Sequence, residues 1–161
     1  MAKRIQAGLF GDTVEAFTLM PSGDLIVAGQ FVQVGSVPVA NIARWDGAQW
    51  QALGAGLSPF SPGPVRTLTV LPDGDLVAGG DFTVSGADPV NHVARWDGGK
   101  WHALDSGVAG ASPTAVHSLH SASAERLFVG GSFDTAMDTP SKGIPAKGVA
   151  LWNGSEWTSV S

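Results

Sequence analysis

The chain has 161 residues, of which 43% are hydrophobic and 14% charged, with 22 glycines, 10 prolines and no cysteine. The lack of cysteine excludes disulfides, thiol catalysis and cysteine-ligated metals, and a net charge of −5 without clustered basic residues argues against nucleic acid as a partner. Many short strands joined by Gly/Pro turns produce such a composition, so we expect an all-β fold in one domain spanning residues 1–161.

The chain repeats itself three times, and each repeat has two halves. The first halves align without gaps and lie 51 residues apart (65 − 14 and 116 − 65). They are residues 14–31, 65–82 and 116–133. The second halves are residues 41–53, 92–104 and 148–160. The last of these is displaced by 56 residues (148 − 92), so the third repeat carries five extra residues between its halves.

Each repeat predicts four strands. In the first repeat, residues 14–20 form the first strand, which ends in a Pro-Ser-Gly-Asp turn, and residues 25–28 form an apolar second strand. The third strand ends at Trp45, where Asp46-Gly47 predicts a tight hairpin, and the fourth begins at Trp50. The same pattern recurs in the other two repeats, and no segment shows a helical period.

Glycine and tryptophan recur at fixed places in the repeat. The glycines follow the second strand, where they predict close backbone approach or a bend; they are Gly29, Gly79, Gly80, Gly130 and Gly131. The tryptophans occur twice in each repeat; they are Trp45 and Trp50, Trp96 and Trp101, Trp152 and Trp157. We interpret them as packing residues between strands and blades. The alternative, that their indole faces stack on sugars, stays open.

Four antiparallel strands in about 50 residues match one blade of a β-propeller. The double glycine and the paired aromatics resemble a kelch repeat, and they are similar to repeats of galactose-oxidase-type, Rax2-like and bacterial secreted propellers. Trp45, Trp96 and Trp152 depart from the tyrosine usual in that third strand. The resemblance implies the fold and a secreted or cell-surface origin. It does not imply copper chemistry, because the chain has neither tyrosine nor cysteine.

Three blades form an open arc. We expect blade 1 at residues 14–53, blade 2 at residues 65–104 and blade 3 at residues 116–160. Closed propellers have about four to eight blades, so a three-blade arc leaves two faces without a neighbour. We therefore expect a homodimer with a six-bladed ring, or a trimer with nine blades. A further interpretation is that the chain is a fragment of a longer propeller or an engineered half-propeller. Ala7-Gly8-Leu9 matches Ala55-Gly56-Leu57, so the residues before Ala7 would correspond to the end of a preceding blade.

The longer connections all emerge on one face, and this face is where a ligand site is expected. The connection at residues 134–147 is the least repeat-like. Its candidate residues for ligand or partner recognition are Asp134, Asp138, Lys142 and Lys147. The alternative is a tolerated insertion.

No catalytic, cofactor or metal site is expected. His117 and His120 lie three apart in a strand, which places them on opposite faces. Residues 72–75 read as a hairpin turn, because two carboxylates are too few for calcium. Arg44 and Arg95 correspond to Leu151 in the third repeat, which favours a structural role.

The sequence supports two functional hypotheses. The first is a non-enzymatic, self-assembling propeller scaffold, and the second is a carbohydrate- or protein-binding module that uses the long-loop face. Neither membrane nor nucleic acid is expected as a partner. No hydrophobic secretory region follows Met1, and the sequence leaves the compartment open.

Overall fold

A computed structural model describes residues 13–58, 63–111, 113–123 and 125–160. Residues 7–9, whose sequence suggested the end of a preceding blade, lie outside the described residues. All regular secondary structure in the described part of the chain consists of β-strands. No helix in that part is long and apolar enough to cross a membrane.

The first blade is a four-stranded antiparallel sheet. Its chain-order strands are β1 (Thr13–Leu19), β2 (Leu25–Gln30), β3 (Gln33–Val34), β4 (Val37–Pro38), β5 (Ile42–Trp45) and β6 (Trp50–Ala52). The sheet order is β1-β2-β5-β6, and β3 pairs only with β4 in a small hairpin between β2 and β5.

The second blade repeats this arrangement. Its strands are β7 (Val65–Val70), β8 (Leu76–Gly80), β9 (Val84–Ser85), β10 (Asp88–Pro89), β11 (Val93–Trp96) and β12 (Trp101–Ala103). The sheet order is β7-β8-β11-β12, with β9 and β10 as the small hairpin.

The third blade elaborates the same plan. Its strands, after the short β13 (Val108–Ala109), are β14 (Ala115–Ser123), β15 (Arg126–Ser132), β16 (Thr135–Thr139), β17 (Lys142–Pro145), β18 (Val149–Trp152) and β19 (Trp157–Ser159). The sheet order is β14-β15-β18-β19. The five extra residues lengthen the small hairpin, which becomes β16–β17 and pairs with β13.

These three sheets are blades of a β-propeller, as the sequence predicted. The first strands of neighbouring blades, β1, β7 and β14, lie next to one another. The apolar cores form between blades, because the sheet of blade 2 packs one face on blade 1 and the other on blade 3. The core between blades 1 and 2 includes Ile26, Ile42, Leu76 and Trp101. The core between blades 2 and 3 includes Val77, Val93, Leu127, Trp152 and Trp157.

A β-bulge interrupts the pairing of the first two strands in every blade. The register shifts between Val14 and Ala16, between Val65 and Thr67, and between Val116 and Ser118. The bulged residues are Glu15, Arg66 and His117. A bulge of this kind re-aims its side chain away from the regular alternation of the strand.

Candidate functional site

Among the described residues, two sheet faces at the ends of the arc lack a neighbouring blade. We call the face of blade 1 that points away from blade 2 the leading face; it is marked by Val14, Phe17, Leu19 and Trp50. We call the face of blade 3 that points away from blade 2 the trailing face; it is marked by Phe128, Val149, Leu151 and Val160.

The leading face exposes positions that are buried in the other blades. Val14 is 46% exposed, whereas the equivalent Val65 and Val116 are 0% exposed. On the same strand Phe17 is 74% exposed and Leu19 65% exposed. The equivalent Leu68 is partly buried and packs into the core between blades 1 and 2. Exposure of these side chains therefore follows from the missing neighbour and not from the residue type.

The trailing face shows the same relation. Val149 is 42% exposed, whereas its equivalents Ile42 and Val93 are fully buried. Val160 is 49% exposed, and its equivalents Leu53 and Leu104 are buried. Five of the six exposed large hydrophobic side chains among the described residues lie on these two faces.

A hydrogen bond between blades recurs at each junction inside the chain. The indole Nε1 of Trp101 donates to the carbonyl oxygen of Leu53 at 3.1 Å. The indole Nε1 of Trp157 donates to the carbonyl oxygen of Leu104, also at 3.1 Å. The equivalent tryptophan of blade 1 is Trp50, which lies half-buried on the leading face. The carbonyl equivalent to those of Leu53 and Leu104 belongs to Val160 on the trailing face.

The tryptophan pairs sit across the third and fourth strands of each blade. The ring centroids are 5.3 Å apart for Trp45 and Trp50. The pairs Trp96–Trp101 and Trp152–Trp157 have almost the same separation. Trp101, Trp152 and Trp157 are buried, so these indoles have no open face on which a sugar could stack. This geometry favours the packing role.

Gly29 and the second glycine of the pairs in blades 2 and 3 lie against the backbone at the first strand of their blade. A Cβ atom built on Gly29, Gly80 or Gly131 would lie about 2 Å from a carbonyl oxygen of residues 13, 64 or 115. The first glycine faces the next blade instead, since a Cβ on Gly79 would meet Cγ1 of Val116 at 2.4 Å. Gly130 lies on the trailing face, where the nearest atom to such a Cβ is 3.7 Å away.

The four candidate residues of the third hairpin do not converge on one site. Lys142 Nζ lies 3.7 Å from Asp138 Oδ2 across the hairpin. Asp134 Oδ1 accepts a hydrogen bond from the neighbouring Thr135 hydroxyl, and Lys147 occupies a left-handed turn with φ of 42°. None of the four lines the cavity beside the hairpin.

That cavity lies between blades 2 and 3 and has a volume of about 350 Å³. Its polar lining comes from Asn91, His92, Ser106 and Thr114, and its apolar lining includes Met137. Burial lowers the pKa of His92, which favours the neutral imidazole. Sequence reasoning missed His92 as a lining residue, because its burial depends on loops of two blades.

A second cavity, of about 370 Å³, lies between the tight turns of blades 1 and 2. Arg44 Nη2 is 2.8 Å from Asp24 Oδ2 at its wall. In blade 2, Arg95 contacts both Asp73 and Asp75, at 2.8 and 2.6 Å. The arginines therefore hold the carboxylates of the turn between the first and second strands, which is the structural role predicted for them.

The third blade replaces both members of this ion pair. Leu151 stands at the arginine position and Arg126 at the position of Asp24 and Asp75. The guanidinium carbon of Arg126 instead lies 5.4 Å from the ring centroid of Phe128. Among the described residues, no group of three or more histidine and carboxylate side chains is placed to hold a metal ion.

Comparison with known proteins gives one match. The family model of a domain of unknown function (DUF5122) described as a β-propeller matches residues 71–96. No curated protein and no solved structure matches the chain. The matched segment runs from the end of β7 to the end of β11, so the match covers the inner part of blade 2 and supports a β-propeller repeat.

Proposed function

We propose that the chain is a non-enzymatic propeller scaffold, which closes a ring by packing its leading face on the trailing face of a second copy. One observation carries the proposal: the same repeat positions are buried between blades and exposed at the two ends. Val14 and Val160 are each about half exposed, and their equivalents inside the chain are buried. The two end faces thus present the two halves of a junction that the chain already forms twice.

The energetic argument favours a closed ring. Full burial of a Val, Leu or Phe side chain contributes about 1.5–3 kcal/mol, and each end face exposes several of them. Association costs about 4–15 kcal/mol in lost freedom of motion. A two-copy ring forms two junctions in a single association step, so two interfaces offset one such cost. Two copies give six blades, which falls inside the usual range for closed propellers.

A specific observation supports the alternative function, a carbohydrate- or protein-binding module on the long-loop face. The cavity beside the third hairpin joins an apolar wall at Met137 to polar groups at Asn91 and His92, and small-ligand sites commonly combine such walls. Binding to a glycan array that disappears on shortening the hairpin would support this alternative, and a blank array would count against carbohydrate as the ligand.

The assembly is tested by light scattering during size exclusion over a dilution series. We expect a mass near twice 16.5 kDa for the chain. Phe17→Glu should give a monomer, because it places a charge on the leading face. Val32→Glu is the matched control: Val32 is 55% exposed, and its equivalents Thr83 and Asp134 are exposed in blades that have neighbours. A folded wild-type monomer at all concentrations would refute the proposal.

A further inference from the structure

The bulged residue of the first strand is charged or titratable in all three blades. These residues are Glu15, Arg66 and His117, which are equivalent by the 51-residue spacing. They lie on β1, β7 and β14, which are next to one another. None of the three is fully buried.

Between blades 1 and 2 the bulged residues form an ion pair. Arg66 Nη1 lies 3.3 Å from Glu15 Oε2. The same guanidinium bonds Asp81 in its own blade, with Nη2 at 2.8 Å from Oδ2. Asp81 and then Glu15 raise the pKa of Arg66. Bulge positions on neighbouring blades are therefore close enough for side chains to pair.

His117 has a different environment at the same position. Its Nε2 lies 3.1 Å from the hydroxyl oxygen of Ser132, which stands where Asp81 stands in blade 2. No carboxylate in the described part of the chain forms an ion pair with His117. On the side of blade 2 its equivalent is the cationic Arg66. On the other side lies the position that the next blade of a ring would fill.

We infer, on the basis of the proposed ring closure, that Glu15 of a second copy occupies this place beside His117. The carboxylate–imidazole contact then fixes the order of copies around the ring. When the leading face of one copy packs on the trailing face of the other, Glu15 of the first copy lies next to His117 of the second. Two leading faces packed on each other would leave His117 without this carboxylate.

The experiment measures the dissociation constant of the assembly for His117→Arg. Arginine at this position places a guanidinium where it can pair with Glu15 of the second copy, with the order of the two charges across the junction reversed relative to the Arg66–Glu15 pair. A half-exposed ion pair contributes about 0.5 kcal/mol and a two-copy ring contains the junction twice; because the wild-type chain already has the imidazole contact, we expect assembly to tighten by up to about fivefold. His102→Arg is the matched control, because His102 is an exposed histidine of blade 2 that already bonds Asp97. It should leave the constant unchanged.

A second comparison uses Glu15→Gln as the background. There the exchange of His117 for arginine should give no gain, since the carboxylate is absent. The inference is overturned if the wild-type chain assembles but His117→Arg does not tighten it, or if the gain persists without Glu15. A monomeric wild-type chain overturns the ring closure itself, and with it the inference.

Discussion

At the residue scale, two adjacent glycines of blade 3 have different reasons to be glycine. A Cβ on Gly131 would lie 2.1 Å from the carbonyl oxygen of Ala115, so no larger residue fits without moving the backbone of β14. A Cβ on Gly130 would meet nothing closer than 3.7 Å. The blade itself requires the second glycine, whereas the first matters only when another blade packs on that face.

The adjacent glycines give a matched pair of substitutions. Gly131→Ala should lower the free energy of unfolding by about 2 kcal/mol, because the added methyl overpacks the strand pair. Both substitutions are made in the monomeric Phe17→Glu background, where the trailing face stays open, and there Gly130→Ala should change it by less than about 0.5 kcal/mol, as for an open surface position. Urea unfolding at one protein concentration measures both. Equal losses for the two variants would show that the close approach at Gly131 is relieved in solution.

At the scale of the element, the hairpin between the third and fourth strands is closed by a carboxylate or an amide. Asp97 Oδ1 accepts hydrogen bonds from the backbone N–H groups of Gly99 and Lys100, each at 2.8 Å. Asn153 makes the equivalent contacts in blade 3, to Ser155 and Glu156. Either side chain fits because the turn needs an acceptor oxygen and not a charge.

The hairpin of blade 2 should make the folding stability of the chain decrease at low pH. The backbone N–H groups of Lys100 and Gly99, and the ring of His102, lower the pKa of Asp97 in the folded chain from 3.8. The unfolded chain therefore takes up the proton first, so this contribution to stability is present above about pH 4 and is lost as the pH falls further.

Asp97→Asn should keep the turn and remove this part of the pH dependence. Thermal unfolding from pH 6 to pH 2 is the measurement, with the wild-type chain alongside. We expect the variant to lose less stability than the wild-type chain below about pH 4. Parallel loss in the two proteins would mean that Asp97 does not supply the acid-sensitive contribution.

At the scale of the whole molecule, the proposed junction joins two different faces. Such a head-to-tail contact closes into a ring or continues as a filament, depending on the rotation between copies. A face that paired with itself would instead stop at a dimer. The two cases can be separated, because each end face can be blocked without touching the other.

Mixing two blocked variants tests the head-to-tail arrangement. Phe17→Glu blocks the leading face, and Gly130→Leu blocks the trailing face by placing a side chain in the open space at Gly130. Each variant alone should be monomeric. Their equimolar mixture keeps one intact junction, so light scattering should show a larger dimer fraction for the mixture than for either variant alone. Dimers of either variant alone would contradict the arrangement.

The sequence was sufficient for the blades and insufficient for the contacts between them. The 51-residue spacing and the Asp-Gly and Asn-Gly turns predicted the four strands of each sheet, because strand alternation and turn chemistry are local properties. The third hairpin was predicted as a long loop, and the structure shows it as paired strands. Its pairing with β13 joins residues far apart in sequence, which no local pattern reveals.

The sequence by itself determined that the chain is an arc of three similar blades whose apolar residues recur at fixed positions. Only the tertiary structure decided which copy of each position is buried. Val14 and Val65 are the same residue at the same repeat position, yet one is 46% exposed and the other 0%. It also decided that Glu15, Arg66 and His117 lie at bulges side by side. The reason is physical: burial and pairing depend on the neighbour in space, and the repeat specifies only the blade.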